Sequence, residues 1–171
     1  MAIYFLRHEE RLKGDIHFRS NLTRNGQEVS NTILKGFIEL INPDEIYCSP
    51  FRRTMQTVSP YARANNKKLN IDYAIAEDAK SDVLHESDYR EFPINRDYKA
   101  VVDESDEHLD KRVILFASKI HKSKKNILIC SHQSTLNLLM NKLYGLEREK
   151  HEKFDMGKIY RIIDHHPVCL N

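Results

Sequence analysis

Ala2-Ile3-Tyr4-Phe5-Leu6-Arg7-His8 decides how this 171-residue chain is read. Five apolar residues, too few for a helix, read as a buried strand. An arginine and a histidine follow at once. In open α/β sheets, ligands bind beyond the carboxyl ends of the strands. A fixed cation beside an imidazole at such a place suits a phosphate group, one residue to hold it and one to attack it.

Four further strands extend the pattern. Glu45-Ile46-Tyr47-Cys48 is the second, closed by Ser49-Pro50, and Lys68 to Tyr73 forms the third. Asn126-Ile127-Leu128-Ile129-Cys130 is the fourth and Lys158 to Ile163 the last. Helical patterns lie between them. Thr23 caps a helix whose apolar face is Val29, Ile33, Phe37 and Leu40, ending near Asn42-Pro43. Phe51 to Asn65 is helical, with Pro60 expected to kink or restart it. Leu109, Val113, Phe116, Ala117 and Ile120 mark an amphipathic helix, and Ser134 to Leu143 a helix stopped by Gly145. Strands alternating with helices predict an α/β fold: three layers, with a mostly parallel sheet flanked by helices. The length fits one domain, 1–171, with an irregular segment 77–103 that can serve as a lid.

Composition removes several function classes. With 27 basic and 25 acidic residues the charge nearly balances, which argues against a nucleic-acid partner. No apolar run approaches the ~20 residues that span a bilayer, and no leader opens the chain, so no membrane role is expected. Cys48, Cys130 and Cys169 have neither disulfide nor zinc spacing. Cys48 and Cys130 end apolar runs and read as buried thiols, which places the chain in a reducing, cytoplasmic compartment. His165-His166, before Pro167, reads as loop rather than metal site. Lys122, Lys124 and Lys125 read as a solvated helix end.

Three strand ends carry the chemistry. The first gives Arg7-His8, the second Ser49 to Thr57 with Arg52 and Arg53, and the fourth Ser131-His132-Gln133. Parallel strands bring their carboxyl ends to one edge, so these segments converge. The set is two arginines and two histidines. A phosphomonoester carries roughly −1.5 to −2 charge near neutral pH, and the guanidinium fork matches its oxygens. The helix after His132 adds backbone N–H donors, beginning with that of Gln133.

These motifs resemble the histidine phosphatase superfamily (phosphoglycerate mutase-like). Phe5-Leu6-Arg7-His8 resembles its opening Arg-His-Gly motif, and Leu22-Thr23-Arg24-Asn25-Gly26 the start of its first helix. Ser49-Pro50-Phe51-Arg52-Arg53-Thr54-Met55-Gln56-Thr57 is similar to Ser-Pro-Leu-x-Arg-Ala-x-Gln-Thr, which selects Arg53 over Arg52. Ile127 to His132 resembles the late strand ending in Ser-His. The resemblance implies that His8 is a nucleophile, phosphorylated and then hydrolysed, and that Arg7, Arg53 and His132 bind the phosphoryl oxygens. It implies a carboxylic acid for the leaving group, Glu77 first, with Glu86 and Asp88 in reserve. Arg11 is a candidate second anion contact beside Gln133. No metal or cofactor is needed. The substrate is a phosphorylated small molecule or phosphoprotein.

Three departures matter. Glu9 replaces the motif glycine; a positive φ there would cost roughly 1–2 kcal/mol, and its charge must point away from phosphate. Gly14 stands where mutases carry an asparagine, and the chain is shorter than theirs. Both favour a phosphatase over a mutase. Glu9 also motivates a rival in which the chain binds phosphorylated ligands without turnover.

Overall fold

Strands β1 (Ile3–Arg7), β2 (Glu45–Cys48), β3 (Leu69–Ile71), β4 (Ile127–Ser131), β5 (Ile159–Ile163) and β6 (His166–Cys169) form one sheet in the order β3-β2-β4-β1-β5-β6. The computed structural model describes residues 2–14, 18–77, 86–103, 108–146 and 153–171. β1 to β4 run parallel, β5 is antiparallel to β1, and β6 pairs antiparallel with β5. The sheet is therefore mixed and mostly parallel. β4 lies between β1 and β2, with Arg7 opposite Ser131 and Cys48 opposite Cys130. That register brings the three chemically loaded strand ends to one edge.

Alternation along each strand builds two cores. Tyr4, Leu6, Ile46, Cys48, Leu128 and Cys130 face α2 (Lys35–Ile41) and α3 (Arg52–Ala64). Beyond the short α4 (Glu86–Tyr89), Ile3, Phe5, Tyr47, Ile127 and Ile129 face α5 (Leu109–His121) and α6 (Gln133–Tyr144). Both faces being covered, the strands are apolar throughout, as parallel sheets require. The result is the predicted three-layer α/β architecture. Cys48 and Cys130 are free buried thiols. Among the described residues, no helix is long and apolar enough to cross a membrane.

The first helical region departs from its predicted face. α1 (Arg24–Val29) passes through a π-helical turn, Ser30–Leu34, into α2. The wider turn rotates the stripe, so Ser30, Leu34 and Ile38 are buried, while Ile33 and Leu40 stay 60% and 82% exposed. The Thr23 cap forms as expected: its hydroxyl accepts the Gly26 N–H at 3.0 Å. Gly26 is required by contact, since a Cβ there would lie 2.5 Å from the Glu10 carbonyl oxygen.

Two other expectations change. Pro60 sits inside α3 without ending it. The His165-His166 stretch is not simply loop: Asp164 and His165 adopt left-handed φ of 49° and 63° and turn the chain into β6. Pro167 hid this strand in the sequence, and an edge strand tolerates proline.

Candidate active site

Backbone hydrogen bonds fix His8 from both sides. Its own N–H donates to the Ser131 carbonyl at 3.1 Å, one step beyond the β1–β4 ladder. The next N–H, of Glu9, donates to Thr57 Oγ1 at 3.0 Å, and that hydroxyl donates to the Arg53 carbonyl at 2.7 Å. The histidine is thus tied to β4 and to the turn of α3 that carries Arg53. His132 ends β4 in extended conformation and caps α6.

The side chains then converge. His8 Nδ1 lies 2.7 Å from the Glu9 carbonyl, and Arg53 Nε donates to His8 Nε2 at 3.2 Å. A carbonyl only accepts and a guanidinium only donates. The proton of His8 therefore sits on Nδ1, and Nε2 presents its lone pair. Arg53 Nη2 also donates to Glu77 Oε2 at 2.7 Å and to His132 Nδ1 at 3.2 Å. By the same logic His132 carries its proton on Nε2, which donates to Ser49 Oγ at 2.8 Å. The two imidazoles are 5.3 Å apart, edge to face. Phe51 supports both neighbours: the Arg53 guanidinium lies 4.3 Å over its ring and His132 packs against it at 4.6 Å.

Burial and cations keep both rings neutral. Burial first, then Arg53, with Arg7 and Arg11 adding, pushes His8 down to about 3. The same causes hold His132 well below the ordinary imidazole value, with His8 itself contributing. Burying a charge next to like charges is unfavourable, so the proton leaves.

Arg7 is the second guanidinium. Its Nη1 donates to the Phe154 carbonyl at 2.8 Å and, more weakly, to Gln133 Oε1 at 3.4 Å. Gln133 Oε1 also accepts the Phe154 N–H at 2.7 Å. Arg7 Nε is buried with no hydrogen-bond partner among the described residues. Arg11, in the loop after β1, is half-buried, and its charge acts on Arg7, His8 and His132. One buried arginine, Arg53, two half-buried ones, Arg7 and Arg11, and an orphaned N–H form an anion site of high field. Among the described residues, no group of three or more His, Cys, Asp or Glu side chains is placed to hold a metal ion.

Glu9 avoids both predicted penalties. It is not among the residues with positive φ. Its side chain is seated over Gly157: a Cβ on that glycine would lie 1.7 Å from Glu9 Oε1. Oε2 accepts the Glu10 N–H at 3.2 Å. Burial raises the carboxyl above its usual range.

The structure therefore brings Arg7, His8, Arg53, Glu77 and His132 together, with Gln133 and Arg11 at the margin. The side chain of Glu86 lies outside the described residues. Asp88 is engaged elsewhere, in a two-bond pair with Arg19 at 3.1–3.2 Å. Arg52 turns away to Asn21 at 2.9 Å and to Glu91. Sequence reading missed three contributors: Ser49, Thr57 and the Phe154 carbonyl. Ser49 and Thr57 stand inside the quoted motif, where their small hydroxyls were a usable signal. Phe154 carried none.

Comparison with known proteins gives the family and the fold. The family model of the histidine phosphatase superfamily (branch 1) matches residues 3–163. No curated protein matches the chain. Among solved structures, the chain is similar to the ecdysone phosphate phosphatase of Bombix mori in complex with tungstate, at TM-score 0.69 and 15% identity over 99% of this chain and 91% of that one. It is similar to the alpha-ribazole phosphatase of Shigella flexneri at TM-score 0.68 and 20% identity, covering 99% and 95%. The phosphoserine phosphatase of Entamoeba histolytica, in complex with 3-phosphoglyceric acid, aligns at TM-score 0.61 and 20% identity over 99% and 94%. At such identities the likeness is one of fold, whereas the family match spans nearly the whole chain. With its opening Arg7-His8, its Arg53 and its Ser131-His132 on one sheet edge, the chain belongs to the histidine phosphatase superfamily (branch 1).

Proposed function

We propose that this protein is a metal-independent phosphatase that hydrolyses phosphomonoesters through a phosphohistidine at His8. One observation carries the reading: a buried, neutral His8 turns the lone pair of Nε2 toward Arg53, in a site whose other cations are Arg7 and Arg11. Phosphate entering there meets the orphaned Arg7 Nε and exchanges places with the Arg53–His8 contact. Arg7, Arg53 and His132 take the phosphoryl oxygens, with Arg11 and the first N–H of α6 at Gln133 beside them.

Nε2 attacks phosphorus, and the ester P–O bond breaks in line. Glu77, held by Arg53 Nη2 at 2.7 Å, gives its proton to the leaving alkoxide. The resulting carboxylate takes a proton from water as that water attacks the phosphohistidine. Phosphate is released and His8 returns to its neutral form. Phosphoryl transfer of this kind rests on positioning and charge stabilisation, which the guanidiniums supply.

The substrate is a phosphorylated small molecule or a phosphoprotein, and buried free thiols at Cys48 and Cys130 support a cytoplasmic site of action. Residues 1–171 act as one domain. Within segment 77–103, the Arg19–Asp88 and Arg52–Glu91 pairs support a lid tied to the flank of the site.

Hydrolysis of p-nitrophenyl phosphate by wild type and by His8→Ala tests the reading. Turnover by wild type alone, with an acid-labile, base-stable phosphoryl group on His8, is expected. Phosphate or vanadate binding without turnover would instead identify a phospho-ligand binder.

A further inference from the structure

The segment that delivers Glu77 is held by one capping carboxylate and three buried side-chain donors. Asp72 Oδ1 accepts the Ala74 N–H at 2.9 Å and caps a 3₁₀ turn, Tyr73–Ile75. Arg112, from α5, donates to the Tyr73 carbonyl. Ser131 Oγ donates to the Ile75 carbonyl at 2.6 Å, and Thr135 Oγ1 to the Ala76 carbonyl at 3.2 Å. Ser131 and Thr135 are both fully buried. They stand one residue before and three residues after His132.

The two carbonyls immediately preceding Glu77 are therefore fastened on either side of His132, to the last residue of its strand and to the first turn of the helix that follows it. Glu77 itself is 40% exposed at its side chain, and Oε2 lies 3.5 Å from His132 Nδ1. A half-exposed glutamate on an untethered loop would sample many positions. A general acid must stay within hydrogen-bond reach of the leaving oxygen, and displacement by about 1 Å can cost on the order of 10²-fold.

We infer that Ser131 and Thr135 are positioning residues for the proton donor: they set the distance of Glu77 from the phosphoryl site by holding its approach segment to the His132 strand and helix. Neither touches the reacting atoms. The inference rests on Glu77 as the acid.

The readout is the dependence on leaving group. p-Nitrophenolate departs with little help, whereas the alkoxide of ethyl phosphate must be protonated. kcat/KM is measured for both substrates in wild type, Glu77→Gln, Thr135→Val, Thr135→Ser and Ser131→Ala. Glu77→Gln is expected to fall much further on ethyl phosphate. Thr135→Val repeats that bias in part: about tenfold on ethyl phosphate and under about threefold on the aryl ester, a fraction of the 10²–10⁴ a positioned acid contributes. Thr135→Ser restores it.

An unbiased Glu77→Gln overturns the acid assignment and the inference with it. A biased Glu77→Gln beside an equal fall, or no fall, in Thr135→Val overturns the inference alone, as does failure of serine to restore. Should Thr135→Val not fold, Ser131→Ala carries the same comparison.

Discussion

Arg53 Nε donates to His8 Nε2 at 3.2 Å, and this bond fixes which ring nitrogen of the histidine is bare. The ring is neutral, protonated at Nδ1, and held down to about 3. The ring signals of His8 in an NMR titration are expected to stay flat from pH 8 to below 5. A transition near the ordinary value of 6.5 would contradict the geometry.

That depression has a consequence for folding. Between 6.5 and about 3 the unfolded chain protonates this histidine and the fold does not. The unfolded state binds more protons, so stability falls as pH falls across that window, by up to about 1.4 kcal/mol per pH unit from this group. His132 acts in the same sense. Denaturation of His8→Asn across the window should show a shallower slope than wild type; an unchanged slope would count against the buried neutral ring.

Arg53 contacts His8, Glu77 and His132 from one planar group. Lysine offers a point charge and cannot reproduce the three directions. Arg53→Lys is expected to lower kcat by about 10²–10³. Steady-state kinetics on p-nitrophenyl phosphate check this, and a loss below tenfold would show the fork to be dispensable.

Thr57 joins the nucleophile to the helix of Arg53 through Glu9 N–H and the Arg53 carbonyl. Thr57→Val keeps the shape and orphans a buried donor, at a cost of about 1–3 kcal/mol. kcat should fall roughly tenfold with KM little changed, since the shift is felt where His8 attacks. Thr57→Ser retains the hydroxyl and most of the rate.

Glu9 and Gly157 occupy one space between them. Gly157→Ala must displace the Glu9 carboxylate and also strains a φ of 69°. In a double-mutant cycle with Glu9→Ala, its cost should shrink by about 1 kcal/mol, whereas independent sites add within about 0.3–0.5 kcal/mol. Because the carboxylate is seated over Gly157, Glu9→Gly should also change phosphate affinity by less than about tenfold, measured by calorimetry.

Much of this was legible in the chain. Ile3 to Leu6 and Ile127 to Cys130 are apolar at every position, which only a strand covered on both faces requires. The resemblance to the family motif selected Arg53, 1% exposed, over Arg52, which serves the surface. The unread parts depend on long-range contact. Phe154 meets Arg7 across 147 positions through a backbone oxygen, which no side-chain pattern announces. The tethering of Glu77 depends on Ser131 and Thr135, ordinary residues until the sheet is assembled. The π-helical turn at Ser30–Leu34 shifts a face by a fraction of a turn, below what apolar spacing resolves.

The central place of β4 also sets a schedule for the nascent chain. Among the described residues, β1 is flanked in the sheet by β4 and β5, and β4 stands between β1 and β2. About 120 residues separate β1 from β4, on the order of ten seconds of translation. For that interval Ile3-Tyr4-Phe5-Leu6 lacks both of its native neighbours, and an apolar strand with two open edges is a template for aggregation. Chaperone demand during synthesis, and the solubility of truncations ending before Asn126, follow from where one strand is inserted.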